Sequence, residues 1–195
     1  MNIQKYRVWE VIAMKRFASV FSLLLSLVLL LGIGLTGCQT AKSETLTLDF
    51  YKIGKADAIL VTHSHYDHFE MATIEKIAGE NCAIPCDKTS AEAFDGEAVV
   101  MTPGMKAQVG KDVTIEAIPA YNTTEGHTDF HPKAREDNGY VVELIQGLRI
   151  YIAGDGEPTP EMLALKDIDI AFLPVNQPYT MTVDQAIEVV KTIKP

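Results

Sequence analysis

Asp57–Thr62 is apolar and rich in β-formers, and it predicts a buried strand. Met71, Ile74 and the Ile77/Ala78 pair recur at helical spacing and predict a helix over Met71–Ala78. Cys82–Ile84, Ala98–Met101 and Val113–Ile118 read as short strands, with turns at Thr102-Pro103-Gly104 and Gly110-Lys111-Asp112. From Pro119 to Asn138 the chain turns polar, and a connection of that length in a compact domain is usually functional. Gly139–Ile145 and Leu148–Ala153 predict a hairpin around Gln146-Gly147, closed by Gly154-Asp155-Gly156. Pro160–Leu165 predicts a short helix with proline at its start, and Ile168–Val175 another buried strand. Thr182-Val183-Asp184-Gln185 is a capping box that opens a helix through Ile193. Strands joined by both helices and hairpins give a mixed α/β layered fold.

The first residues follow another pattern. Lys15 and Arg16 precede an apolar run, Phe17–Leu35, as in the charged and hydrophobic regions of an export signal. The run closes on Leu35-Thr36-Gly37-Cys38, which resembles the lipobox of bacterial lipoproteins. The resemblance implies a signal peptide over residues 1–37, lipidation at Cys38 and a polar tether over residues 38–44. The expected location is the cell envelope, with the exported body anchored to a membrane by lipid. Gln39, which is not Asp, favours the outer membrane of a Gram-negative cell by the same resemblance. An uncleaved transmembrane anchor is the alternative, since the run is long enough to span a bilayer. Met14 is an alternative start, because residues 1–13 add nothing that a signal needs.

Charge narrows the choice of partner. The chain carries a formal −9, and Lys5, Arg7, Lys15 and Arg16 against Glu10 give the segment before Cys38 +3, leaving −12 on the rest. An acidic body has nothing with which to neutralise phosphates, which argues against nucleic acid. Cys82 and Cys86 are too far apart for a disulfide if the strand between them is continuous, although a turn at Pro85 could close the gap. Two buried thiols are the simpler expectation. With no second cysteine pair they are not a zinc site.

The chemistry concentrates in His63-Ser64-His65-Tyr66-Asp67-His68. His63 and His65 are two apart at a strand end, so they project to one side and can chelate one metal. Asp67 and His68 follow on the turn and can face a second. Asp155 is placed to bridge the two, although an Asp between glycines is often only turn chemistry. Imidazole with carboxylate suits a divalent ion: zinc first, with manganese or iron also compatible. Three of the chain's five histidines fall within these six residues, directly after an apolar strand, so a chance cluster on a polar loop is improbable.

The H-x-H-x-D-H motif resembles that of the metallo-β-lactamase superfamily. Pro119-Ala120-Tyr121-Asn122, His131-Pro132-Lys133, Asn138-Gly139-Tyr140, Arg149–Asp155 and Ala171–Val175 follow in order. That run is similar to a branch of metal-dependent hydrolases that includes ascorbate-6-phosphate lactonase and N-acyl-phosphatidylethanolamine-hydrolysing phospholipase D. The resemblance covers Ala56–Pro195 and implies an αββα sandwich with a one- or two-metal site at the sheet edges. It also implies that His63 and His65 bind the first ion, that Asp67 and His68 bind the second, and that Asp155 bridges them. Asp67 is the implied catalytic group, handling the proton of the attacking water.

Three departures accompany the resemblance. Asn122 stands near where the family places another histidine, and His131 is a further ligand or a loop cap, with His127 on the same loop. The family's last ligand histidine lies on a strand after a segment like Lys191–Pro195, and the first sheet is shortened ahead of Ala56. The 45–195 metallo-hydrolase domain is therefore expected to be incomplete at both ends. The expected function is hydrolysis of an ester, lactone or phosphodiester in a small-molecule or lipid-like substrate by a metal-bound hydroxide. An inactive remnant and a metal-binding lipoprotein are the rivals.

Overall fold

The structure is a computed structural model and describes residues 54–195. The signal segment 1–37, Cys38, the tether 38–44 and residues 45–53 lie outside the described residues. No described helix is long and apolar enough to cross a membrane.

The first half builds parallel strands around short helices. β1 (Ala56–Ala58) pairs in parallel with β2 (Ala78–Ala83), and α1 (Met71–Ile77) makes the crossover. β3 (Pro85–Cys86) pairs in parallel with β4 (Val99–Val100), with α2 (Lys88–Ala93) between them. The pairing continues beyond these limits. Ile59 N donates to Ala83 O, Val61 N to Pro85 O and Met101 N to Cys86 O, at 2.8–2.9 Å. The predicted strand Asp57–Thr62 is thus present as an extended, bonded segment with little regular ladder. The helix ends one residue earlier than its spacing predicted, because Ala78 is already extended and opens β2. α2 was not foreseen. Its signal is Asp87, whose carboxylate accepts from Thr89 N, Ser90 N and the Ser90 hydroxyl.

The second half is a five-stranded sheet. β5 (Lys106–Val109), β6 (Val113–Pro119), β7 (Asn138–Leu144) and β8 (Arg149–Ile152) run antiparallel in sequence order, and β9 (Ile170–Phe172) adds in parallel to β8. β5 was missed because its alternation of exposed and half-buried residues carries only Ala107 and Val109 inward. α3 (Pro160–Leu163) is capped by the Thr159 hydroxyl with Pro160 in its first turn. α4 (Val183–Ile193) starts on the predicted box: Thr182 and Gln185 cap each other reciprocally. The segment expected as a buried strand over Ile168–Val175 is instead a three-residue edge strand with Ile170 and Phe172 more than 40% exposed. Apolar runs of this length cannot by themselves distinguish a central strand from an edge strand.

Side-chain alternation sorts the core into layers. Leu60, Met101, Ile115, Ala117, Tyr140, Val142 and Ile152 fill the space between the two groups of strands. Ile59, Val61, Ile84 and Cys86 point the other way and pack with Ile74 of α1 and Ala91 of α2. Ile118, Val141 and Tyr151 point from the opposite face of the five-stranded sheet onto Met162 of α3 and Val189 and Ile193 of α4. The order is helix, sheet, sheet, helix, the predicted αββα arrangement. Cys82 is half-buried and Cys86 buried, both as free thiols, and burial pushes the Cys86 thiol up to about 12.

Two bonds tie the layers together beside the motif. Asn138 N donates to Thr62 O at 2.9 Å, and the buried Tyr140 hydroxyl donates to Val61 O at 2.8 Å. The end of the β1 segment is thereby pinned to the start of β7, where the histidines emerge.

A histidine cluster at the strand ends

Thr62 fixes the first histidine. Its hydroxyl lies 3.0 Å from His63 Nδ1, which leaves Nε2 of that fully buried ring to face the cluster. His65 turns its Nδ1 toward His63 Nε2 at 3.1 Å. His68, on the tight turn closed by its own N–H to His65 O, stacks its ring 4.2 Å from that of His63. All four ring contacts within the cluster have centroids 4.2–5.1 Å apart.

His131 arrives from the long loop. It is buried, its Nδ1 lies 3.5 Å from Asp137 Oδ2, and its Nε2 faces Asp155 Oδ2 at 3.6 Å. Of the two roles left open by the sequence, this orientation is that of a ring presented to the cluster and held from behind by a carboxylate. Asp155 reaches into the same space: its Oδ2 is 3.3 Å from His68 Nε2 and 4.0 Å from His63 Nε2. The flanking glycines allow that approach. Gly154 sits at φ 63°, and a Cβ there would meet Asn138 O at 2.7 Å and the Thr62 side chain at 3.1 Å. A Cβ at Gly156 would meet the Tyr121 backbone at 2.9 Å. The glycines around Asp155 are therefore required by packing as well as by the turn.

Among the described residues, two triads could each hold an ion: His63, His65 and His131, and His63, His68 and Asp155. In each, the donor atoms lie within 4.8 Å of one another. This grouping differs from the pairing that the resemblance implied, since His63 belongs to both triads and His131 completes the first. Asp67 belongs to neither. Its side chain is 46% exposed at the rim, with Oδ2 3.9 Å from His68 Nε2.

Burial, with the neighbouring imidazoles, holds His63 well below the usual histidine range, and burial with the Arg135 guanidinium lowers His65. Both rings are therefore neutral at pH 7, the form that ligates. Neutral imidazoles on hydrogen-bonded supports beside one carboxylate form a donor set able to hold a divalent metal ion.

Three functional candidates were missed in the sequence. Arg135 is the last residue of the 3-10 turn Lys133–Arg135; its Nη1 lies 2.5 Å from His65 Nε2 and its Nε donates to Asp137 Oδ1 at 3.2 Å. Asp137 is buried between Arg135 and His131. Asn122 donates its amide to His127 O and Tyr179 O, tying the loop to the segment ahead of α4. Glu157, fully buried, accepts from Thr123 N and Thr124 N at 2.8 and 2.6 Å and meets His127 Nδ1 at 2.9 Å. His127 thus belongs to the loop's foundation. Arg135, Asp137 and Glu157 are lone charged residues in polar stretches, and no spacing rule separates them from solvated neighbours. Only the position of Glu157 beside Gly154-Asp155-Gly156 was a signal.

Known proteins resemble the chain at several levels. The Beta-lactamase superfamily domain matches residues 38–195. A UPF0173 metal-dependent hydrolase of Thermoplasma acidophilum is 35% identical over 149 residues, 72% of this chain and 62% of that protein. One of Thermoplasma volcanium is 30% identical over 82% of this chain and 69% of its own length. The chain spans only 62–63% of the length of the first curated relatives that it matches. Among solved structures, a putative metal-dependent hydrolase from Parabacteroides distasonis superposes with a TM-score of 0.70 at 46% identity, over 75% of this chain and 66% of that one. A metallo hydrolase from Ignicoccus hospitalis shares the fold at 22% identity and a TM-score of 0.59, over 75% of this chain and 64% of its own.

Proposed function

The chain belongs to the β-lactamase superfamily domain family and to the UPF0173 metal-dependent hydrolases, and from that premise we propose that it hydrolyses an ester, lactone or phosphodiester at the histidine cluster. The observation that carries the reading is the convergence of four imidazoles and one carboxylate at the strand ends, on rings already oriented by Thr62 and Asp137. One or two divalent ions, zinc in preference, would be held by His63, His65 and His131 and by His63, His68 and Asp155. When bound, such an ion supplies a water deprotonated near neutral pH and polarises the scissile oxygen.

The chain's own residues do the rest. Thr62 and Asp137 fix which nitrogen of His63 and His131 faces the cluster. Asp67, at the rim and partly in solvent, is placed to pass a proton between the site and bulk water. The substrate is a small or lipid-like molecule, of the kind handled by the lactonase and phospholipase branch that the sequence resembles.

The test is metal content and turnover of the full chain. We expect one to two zinc ions per chain, with hydrolysis of bis(p-nitrophenyl) phosphate or a simple lactone that chelator abolishes and zinc restores. A protein that retains no divalent ion, or whose turnover ignores the chelator, would refute the proposal.

For residues 1–44 the proposal is an exported lipoprotein, tethered to the cell envelope through Cys38. Cys38→Ser is expected to abolish acylation and to block the usual cleavage, so that the chain accumulates in its uncleaved form. Mass spectrometry of the unaltered protein showing an unacylated Cys38 inside an uncleaved chain would contradict it.

A further inference from the structure

We propose that Phe130 and Tyr179 form a wall that receives an apolar chain of the substrate, so that the site favours a long alkyl or acyl tail over a short one; this rests on the reading of the histidine cluster as a metal centre. The two rings meet edge to face, with centroids 4.8 Å apart. They are 36% and 47% exposed, so two large apolar surfaces stand side by side in solvent. A single exposed apolar side chain needs no explanation, but adjoining aromatic rings at a functional end mark a surface that something covers. Such a wall is non-directional, and it therefore selects by the length of the apolar chain laid on it.

Asn122 fixes where the pair stands. Its backbone N–H donates to His131 O at 2.8 Å, and its buried side-chain amide donates to His127 O at 2.9 Å and to Tyr179 O at 2.8 Å. The backbones of His131 and Tyr179 are thereby held against one residue. His131 carries its Nε2 into the cluster, 3.6 Å from Asp155 Oδ2. Phe130 is its neighbour in the chain, with Cα atoms about 3.8 Å apart. A second tie runs through His127. Its ring lies 6.5 Å from that of Phe130, and its Nδ1 is 2.9 Å from the carboxylate of Glu157, two residues beyond Asp155. The wall is thus attached to both segments that feed the cluster, within the length of an octanoyl chain from it. Val183, Ile187 and Val190 are exposed as well, but they lie on α4, whose Val189 and Ile193 pack on the sheet. The alternative role is a brace, in which the two rings only stiffen the loop that carries His131.

The experiment uses the zinc-loaded full chain with acetate and octanoate, which share a carboxylate and differ only in the tail. Zinc content is measured first. The affinity of each acid then follows by isothermal titration calorimetry, for the unaltered protein, Phe130→Ser, Phe130→Leu, Tyr179→Ser and Ile187→Ser. The unaltered protein is expected to bind octanoate about tenfold or more tightly than acetate, with a more negative heat-capacity change, as for burial of apolar surface. Phe130→Ser and Tyr179→Ser should keep their zinc and lower that ratio about fivefold or more. Phe130→Leu restores apolar area and should keep most of the preference. Ile187→Ser removes an exposed apolar side chain of α4 and should leave the ratio unchanged. A ratio near one in the unaltered protein overturns the proposal, as does a ratio that both serine variants preserve or that Ile187→Ser lowers equally. Affinity for both acids falling together, in step with zinc, is the result for a brace and overturns it too. A protein that takes up no zinc before any acid is added overturns the metal-site reading itself and this inference with it.

Discussion

His63→Ala is expected to strip both ions from the protein and to lower turnover by on the order of 10³-fold or more. The size follows from the position of the ring. His63 is the one residue common to the two triads that can hold an ion, and it is fully buried with its Nδ1 turned back to Thr62. Loss of an outer partner that only orients a ligand costs about 10–100-fold in affinity or activity, so loss of a ligand shared by two ions must cost more. The comparison that gives the prediction force is Asp67→Asn. Asp67 lies in neither triad and is half in solvent, so this variant should keep most of its metal while turnover falls. Metal stoichiometry and turnover on the two variants decide the matter. Full zinc content in His63→Ala, or metal lost equally in both, would show that the triads are not the ligand sets.

Glu157→Gln is expected to destabilise the protein at pH 7 by up to about 3.5 kcal/mol, and this difference should shrink as the solution is acidified. Burial alone would raise the pKa of the Glu157 carboxyl. The His127 ring and the N–H groups of Thr124 and Thr123 outweigh it and hold the group at about 2, against an ordinary 4.5. A depressed carboxylate contributes stability that is fully present above its unfolded pKa and is lost as pH falls through its folded pKa. The window is therefore from about 4.5 down to about 2, and the magnitude is the shift multiplied by about 1.4 kcal/mol per unit. Urea unfolding of the two proteins from pH 7 to pH 3 measures it. A difference that stays constant over that range would mean that the carboxylate's charge contributes nothing. Because Glu157 gathers residues 123–127 of the loop that also carries His131, the variant should loosen that loop first.

Local chemistry settled a large part of this molecule. The Thr182–Gln185 box, the proline-led α3 and the β7–β8 hairpin are each encoded within a few residues, by caps, a fixed φ or a turn, so the sequence alone located them. The motif His63–His68 was legible for the same reason, since a strand end followed by closely spaced histidines fixes their common direction without reference to the rest of the chain. The lengths of short strands were less legible. β9 was read as a buried strand because Ile170 and Phe172 are apolar, yet which neighbours a strand acquires is not written in the strand.

The second half of the site could come only from the fold. Which histidine of the loop serves it was undecidable from spacing, because His127 and His131 sit in the same polar stretch with similar surroundings. The structure separates them: Glu157 holds the first away at 2.9 Å, and Asp137 presents the second. Arg135 and Glu157 meet partners 30 to 71 residues away, and pairings of that kind leave no periodic trace. Sequence determined the residues whose chemistry is fixed by nearest neighbours along the chain. The layered sheets decided the rest, because the geometry of a metal site and its supports depends on where strand ends and a loop meet in space.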